Sequence, residues 1–373
     1  MPDSAFSIRL EKTIGLLKQH KLGGLIIFSD GSSSILRPAY LHYFTGIRPI
    51  GKSAAVISTN GRVALVVERK SEANYNSAQG SIKDVRLADN FPEGILNVLR
   101  EFDVENRIGI AGTDEMTADI YDVITRMAVP QPANSIIETI AAEKNEHELQ
   151  VVRETARIAD TGFKAILDNT RPGIKEYELA AEAGYAMRAA GAEDIFLLIS
   201  SERHNQALHR PLEKRLERGD IIIVEMAPFV EGQCVQVCRT IFLGKPDSVL
   251  KEKYELLVHA FLESLKQIKP GLPAYAMSRV MNKIISEAGY GEYCRPPHIR
   301  ARGHGFGVGS ISPGPVIADD TDVLLQRHQV LISHPNQYFP ETGYLACGET
   351  VLVTGNGYER LINSETKLYI RES

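Results

Sequence analysis

The sequence predicts an α+β protein in two parts: an α/β domain over residues 1–135, then a larger domain of helices set against a mostly antiparallel sheet over residues 136–373. Three observations carry this. The first third switches repeatedly between helical apolar spacing and short apolar runs. Charge density rises at IAAEKNEHELQ, just before a long amphipathic segment. The rest groups helical patterns and strand-like runs without strict alternation. With 373 residues, 43% of them hydrophobic, the chain has apolar material for more than one core.

Leu10, Ile14, Leu16 and Leu17 recur at helical spacing between Arg9 and His20, so the first element is a helix. LGGLIIFSD follows as a buried strand. AAVISTNGRVALVVE is two apolar runs around Asn60-Gly61, a short-range hairpin signal. RIGIAG is a further strand. In the second part, Leu149, Val152, Ala156, Ala159 and Phe163 share one face of a long helix. RPGIKEYELAAEAGYAMRAAG opens on Pro-Gly and closes at Gly191, which bounds a second helix. FLLIS, DIIIVEMAPF and VQVCRTIFLG read as strands, KEKYELLVHAFLESLKQIK and AYAMSRVMNKIISEAGY as helices, and QVLISHP and ETVLVTGNG as closing strands.

A formal charge of −5 gives no electrostatic reason to expect nucleic acid or an anionic membrane as partner. The start, MPDSAFSIRLEKT, lacks the basic and apolar regions of a secretory signal. No run approaches the roughly 18 to 20 apolar residues of a membrane span. Cys234, Cys238, Cys294 and Cys347 read as free thiols, and the expected location is cytoplasmic.

Several segments in order, EKNEHELQVVRETARIAD, TRPGIKEYELA, ALHRPLEKRLERGDIIIVEMAP, EGQCVQVCRTIFLG, IKPG, GHGFG and HPNQYFPETG…ETVLVT, resemble the creatinase/Xaa-Pro aminopeptidase family (M24). LHYFTGIRP is similar to part of that family's N-terminal domain. The resemblance implies a creatinase-like α/β domain followed by a pita-bread catalytic domain. It also implies a homodimer in which one subunit's N-terminal domain helps to cover the partner's site; Phe44 and Arg48 would be the residues reaching across.

Metallopeptidases of the family hold two divalent metals with two Asp, one His and two Glu. On those positions this chain carries Glu225, Gln236, His304, His334 and either Gly348 or, with a one-residue gap, Glu349. Hard cations favour charged oxygen donors, so a dinuclear centre is not expected and no cofactor is assigned. A single metal on Glu225, His304 and His334 is the alternative. The family's substrate-contacting His and the Glu beside it are replaced by Ile311 and Ser312. Creatinase, a metal-free member, keeps a catalytic His at the position of His209 and a Pro at that of Pro228. That resemblance makes His209 the expected proton carrier, an imidazole being suited to both directions of transfer near neutral pH.

The expected function is therefore a metal-independent, creatinase-like hydrolase cleaving a C–N bond of a small polar metabolite, with a lyase as a variant. His209, Glu225, His304 and His334 are the catalytic candidates. Gln236, Cys238, Arg302, Tyr338 and Glu349 would bind the substrate. Cys234, Gln236 and Cys238 alternate with valines and so project to one face. Cys238 is also a candidate nucleophile, against the alternative of a small packing residue. His298, Arg300 and Arg302 could clamp a carboxylate, or form a solvated basic loop. Two other functions remain open on the sequence: a prolyl-specific metallopeptidase with an atypical metal site, and a non-catalytic binding module.

Overall fold

A computed structural model describes residues 3–32, 37–104, 106–306, 308–309 and 315–372. The chain forms two units. The first runs up to Ala142, past the boundary expected near residue 135, because the helix there buries Ile136, Ile137 and Ile140 in the first core. Val308, distant in sequence, belongs to the same core, and the Ala39 amide donates to its carbonyl at 2.6 Å.

In the first unit the order is α1 (Asp3–Gln19), β1 (Gly24–Ser29), α2 (Tyr40–Thr45), β2 (Ser53–Ser58), β3 (Val63–Val67), α3 (Lys70–Gln79), β4 (Asp84–Leu87), α4 (Phe91–Glu101), β5 (Asn106–Ala111), α5 (Ala118–Thr125), β6 (Ala128–Pro132) and α6 (Asn134–Ala142). The described strands make one mixed sheet in the order β4-β3-β2-β1-β5-β6. Gly61, at φ +90°, turns the antiparallel β2–β3 hairpin where the Asn-Gly pair predicts it.

The second unit opens with α7 (Glu146–Asn169) and α8 (Glu176–Ala189). Asn145 starts α7 through a capping box: its side chain accepts from the Glu148 amide at 3.0 Å, and Glu148 accepts from the Asn145 amide at 2.8 Å. All five residues of the expected apolar face are buried. There follow β7 (Asp194–Glu202), β8 (Ile221–Val230), β9 (Gln233–Cys234), β10 (Val237–Leu243), α9 (Ser248–Leu265) and α10 (Tyr275–Ile285). The last strands are β11 (Gly303–Gly305), β12 (Val330–Ser333), β13 (Gln337–Phe339), β14 (Gly343–Leu345), β15 (Gly348–Val353), β16 (Tyr358–Arg360) and β17 (Tyr369–Arg371).

The main sheet of this unit runs β11-β12-β15-β10-β8-β7, largely antiparallel, with the exception that β17 joins β10 in parallel. Helix α9 lies on one face of it: Ser264 and Ser333 share a hydrogen bond at 3.0 Å, and Arg360 lies 5.9 Å from the Phe261 ring. Side chains on alternate strand positions project from the other face. No helix among the described residues is long and apolar enough to cross a membrane.

Candidate active site

Strand register assembles the site. Glu225 on β8 pairs with Cys238 on β10, and Cys238 pairs with Gly348 on β15. Ser333 pairs with Glu349, so the next residue, His334, meets Gly348 at the strand end. Ser333 faces α9, which places His334 on the opposite face. His304 on β11 pairs with Ile332, two residues before His334, and shares its face. Glu225, Cys238, Gly348, His334 and His304 therefore line one face of the sheet across five strands.

On one side of this row, the Gln236 amide nitrogen donates to Glu225 Oε1 at 2.7 Å. The Gln236 side-chain oxygen is buried and has no hydrogen-bond partner. Burial pushes the Glu225 carboxyl up to about 7, against the lowering effect of hydrogen bonds from Cys238 and Gln236. On the other side, the His304 and His334 rings lie 5.7 Å apart, edge to face. His304 Nδ1 is 3.0 Å from the Gly305 carbonyl, so it carries the proton and Nε2 is left as an acceptor. Burial lowers both imidazoles, His334 to about 3 with His304 adding to the effect, so both are neutral near pH 7. His334 Nδ1 also lacks a partner.

Gly348 leaves a gap in the row. Its φ is +154°, and a Cβ there would lie 2.3 Å from the Ser333 carbonyl oxygen and 2.6 Å from His334 Cβ. A side chain cannot be added at this position without moving β15 or His334.

Several expected site residues stand elsewhere. Glu349 alternates with Gly348 and points to the helix-covered face, where it meets Arg239 at 2.7 Å and Arg360 at 2.6 Å. Both of its oxygens are thus taken up by arginines, as befits a structural carboxylate. Arg302 is 1% exposed and its guanidinium is committed to Asn282, Gln337 and the Pro335 and Asn336 carbonyls. It fastens the His334 turn and is not free to clamp a ligand carboxylate. Cys238 is buried, and burial with the neighbouring Glu225 raises its thiol well above the usual range. That is the opposite of what a nucleophile requires. Phe44 is fully buried against Phe6 in the first unit's core, so it does not reach into another site; Arg48 is exposed.

His209 lies between β7 and β8, with Nδ1 2.9 Å from the Arg210 carbonyl and 3.9 Å from Glu176. Tyr338 joins Tyr293, His298 and His204 in an aromatic group. Its strand partner Tyr344 was not singled out by the sequence, yet it is the tyrosine whose hydroxyl feels Glu225 and Cys238, and its pKa is raised mainly by burial. Asn336 was missed too; its side-chain oxygen accepts from the Cys347 amide at 3.0 Å, and it acts on the ionisation of both Cys238 and Tyr344. The alternation Tyr338–Tyr344 across a tight hairpin is the signal that could have found the first. Ile311 and Ser312 lie outside the described residues.

Residues 150–355 match the family model for metallopeptidase family M24, and residues 9–140 match that for the creatinase/prolidase N-terminal domain. A Xaa-Pro dipeptidase of Pyrococcus furiosus is 26% identical over 358 residues, covering 94% of this chain and 99% of its own length. Among solved structures, the prolidase from Pyrococcus horikoshii OT3 superposes with a TM-score of 0.84 at 24% identity, covering 96% of this chain and 99% of its own. A Xaa-Pro dipeptidase from Bacillus anthracis gives 0.85 at 23% identity, covering 98% and 99%; these two likenesses speak for the fold. Such relatives overturn the expectation of a metal-independent, creatinase-like hydrolase of a small metabolite: the relatives matched over nearly the whole chain are peptidases. With both parts matched in order and more than half of its residues within the catalytic model, this chain belongs to metallopeptidase family M24.

Proposed function

We propose that this protein is a hydrolase of short peptides, of the Xaa-Pro dipeptidase type, with its site on the face that carries Glu225, His304 and His334. The observation that carries this is a carboxyl held at about 7 on the same face as two neutral imidazoles, in a frame shared with dipeptidases. A carboxyl near the working pH can take a proton from an attacking water and return it to a leaving nitrogen. The hydrogen bond from Gln236 fixes the orientation of that carboxyl.

A pair of divalent ions, the family's usual complement, does not fit these residues. Of the five positions, Glu225 alone offers a carboxylate, Gln236 and the two imidazoles are neutral, and Gly348 offers no side chain. Hard divalent cations need more charged oxygen than this, and Glu349 is held on the far face by two arginines. No catalytic step of this chain is routed through such a pair.

Purified protein assayed against Xaa-Pro dipeptides and dipeptides without proline, with chelator, without additions and with Mn²⁺ or Co²⁺, tests the reading by release of free amino acids. Hydrolysis in at least one arm is expected, with Glu225→Gln slower by about 100-fold or more. No release of amino acid in any arm would overturn the proposal.

A further inference from the structure

Tyr338 is the hub of a ring group drawn from separate segments of the chain. The His298 ring stacks on it at 5.4 Å and 24°, Tyr293 lies tilted at 5.6 Å, and His204 meets it edge-on at 5.8 Å. Tyr293 and His298 also meet each other, 4.9 Å apart. Each segment is tied to the β13–β14 hairpin by polar contacts of its own. His204 Nε2 donates to the Pro340 carbonyl at 2.9 Å, and the Tyr344 amide donates to the Asn205 carbonyl at 2.7 Å. The Gln337 side chain donates to the Tyr293 carbonyl at 3.0 Å, and the Tyr290 hydroxyl to Glu341 at 2.8 Å. The rings are thus held in place before any ligand arrives, which removes part of the ordering cost of binding.

Fastening the hairpin to the body does not need these rings. Side chains alternate along β13, and Phe339, fully buried against Tyr290 at 4.8 Å, does that on the other side. On the Tyr338 side His298 is exposed, and Tyr293, Tyr338 and His204 are half-buried. Both His204 nitrogens are engaged, Nε2 with Pro340 and Nδ1 with Gln206 at 2.9 Å, so that ring presents carbon rather than a polar atom. The same side leads to the catalytic face. Tyr338 pairs with Tyr344, and side chains directly opposite in a hairpin share a face. Burial, then Glu225 and Cys238, act on the Tyr344 hydroxyl.

From this geometry we infer that the ring group is a subsite for a flat aromatic side chain of the substrate, carried by a residue beside the scissile bond. Aromatic pairs favour offset or edge-on contacts with centroids about 4.5 to 7 Å apart, so a further ring continues the pattern already present. A cationic side chain is disfavoured, because the segment that carries Tyr293 and His298 also exposes Arg295 and Arg300. The inference rests on the short-peptide reading and narrows its substrate class to peptides with an aromatic residue.

L-alanyl-L-phenylalanine, L-phenylalanyl-L-alanine and L-alanyl-L-alanine differ only in the presence and place of a ring. Calorimetric titration with each, with free amino acids measured in the same samples, tests the inference. Where a peptide is cleaved, the same ratio is read in kcat/KM. At least one ring-bearing peptide is expected to be favoured about tenfold or more over L-alanyl-L-alanine, the scale set by burying one ring. His298→Ala should reduce that ratio, His298→Phe, which keeps a ring, should retain it, and Tyr338→Leu should abolish it. Equal treatment of the three peptides, a ratio unchanged in both His298→Ala and Tyr338→Leu, or binding of none at about 10 mM would overturn the inference. Ring-dependent binding without release of amino acids supports this inference and defeats the hydrolase reading. Release of amino acids with no preference for a ring does the reverse.

Discussion

At the scale of single residues, Glu225 and His334 set opposite pH dependences on the same face of one sheet. The Glu225 carboxyl is raised to about 7, so the folded state holds its proton more firmly than the unfolded chain does. Its contribution to stability is full below the ordinary carboxylate range near 4.5 and is lost as pH rises through about 7. The loss is about 2 to 3 kcal/mol at 1.36 kcal/mol per unit, discounted for partial exposure. His334 is lowered to about 3, so its contribution is present above the ordinary imidazole value of 6.5 and is lost as pH falls toward 3. Glu225→Gln should therefore gain stability relative to the parent between pH 5 and pH 8, by urea unfolding. A constant difference across that range would mean that Glu225 titrates normally.

Gly348 offers a second test at this scale. With φ at +154° and a backbone oxygen 2.3 Å from where a Cβ would stand, alanine is strained in conformation and in space. Gly348→Ala should cost more than about 1 kcal/mol, the level at which positive-φ glycines respond to a side chain. A neutral effect on the melting temperature would show that β15 shifts freely away from His334.

At the scale of elements, the two faces of β15 divide structure from chemistry. The sequence favours Gly348 over Glu349 at the ligand position but leaves the choice to a one-residue gap in ACGET. Strand pairing decides it, since a slip of one residue sends a side chain to the opposite face. Glu349 then stands fully buried between Arg239 and Arg360, with Thr366 as a further donor at 2.9 Å. Removing one partner of a buried pair leaves the other uncompensated, so Glu349→Ala should cost about 3 to 5 kcal/mol. A loss below about 1 kcal/mol in chemical denaturation would assign the cluster the energy of a surface pair. By contrast, the face of α7, its start at Asn145 and the β2–β3 hairpin were legible beforehand, because local spacing and turn chemistry carry them. Arg302 was misread for a non-local reason: Asn282 and the 335–337 turn, which occupy it, are brought to it only by the fold.

For the molecule as a whole, family resemblance made both parts and the positions of Glu225, Gln236, His304 and His334 legible, while the expected chemistry was misjudged. Missing carboxylates pointed toward a metal-free relative, whereas the full-length likeness lies with dipeptidases. Function resides in the site and its side chains, and the frame alone leaves it open. That separation can be tested by restoring charge to the frame. Gln236→Asp with His334→Glu would place three carboxylates with His304 around a glycine gap. Their mutual repulsion should destabilise the double variant in chelator, and millimolar Mn²⁺ or Co²⁺ should raise its melting temperature by several degrees, as a ligand at about 100 times its Kd adds about 2.7 kcal/mol. The parent protein should not respond. If the double variant is equally indifferent to metal, the backbone of this face has moved away from metal-binding geometry along with its side chains. Gly348 would then be the place to look, because its close approach to His334 is the feature of the row that side-chain replacement cannot undo.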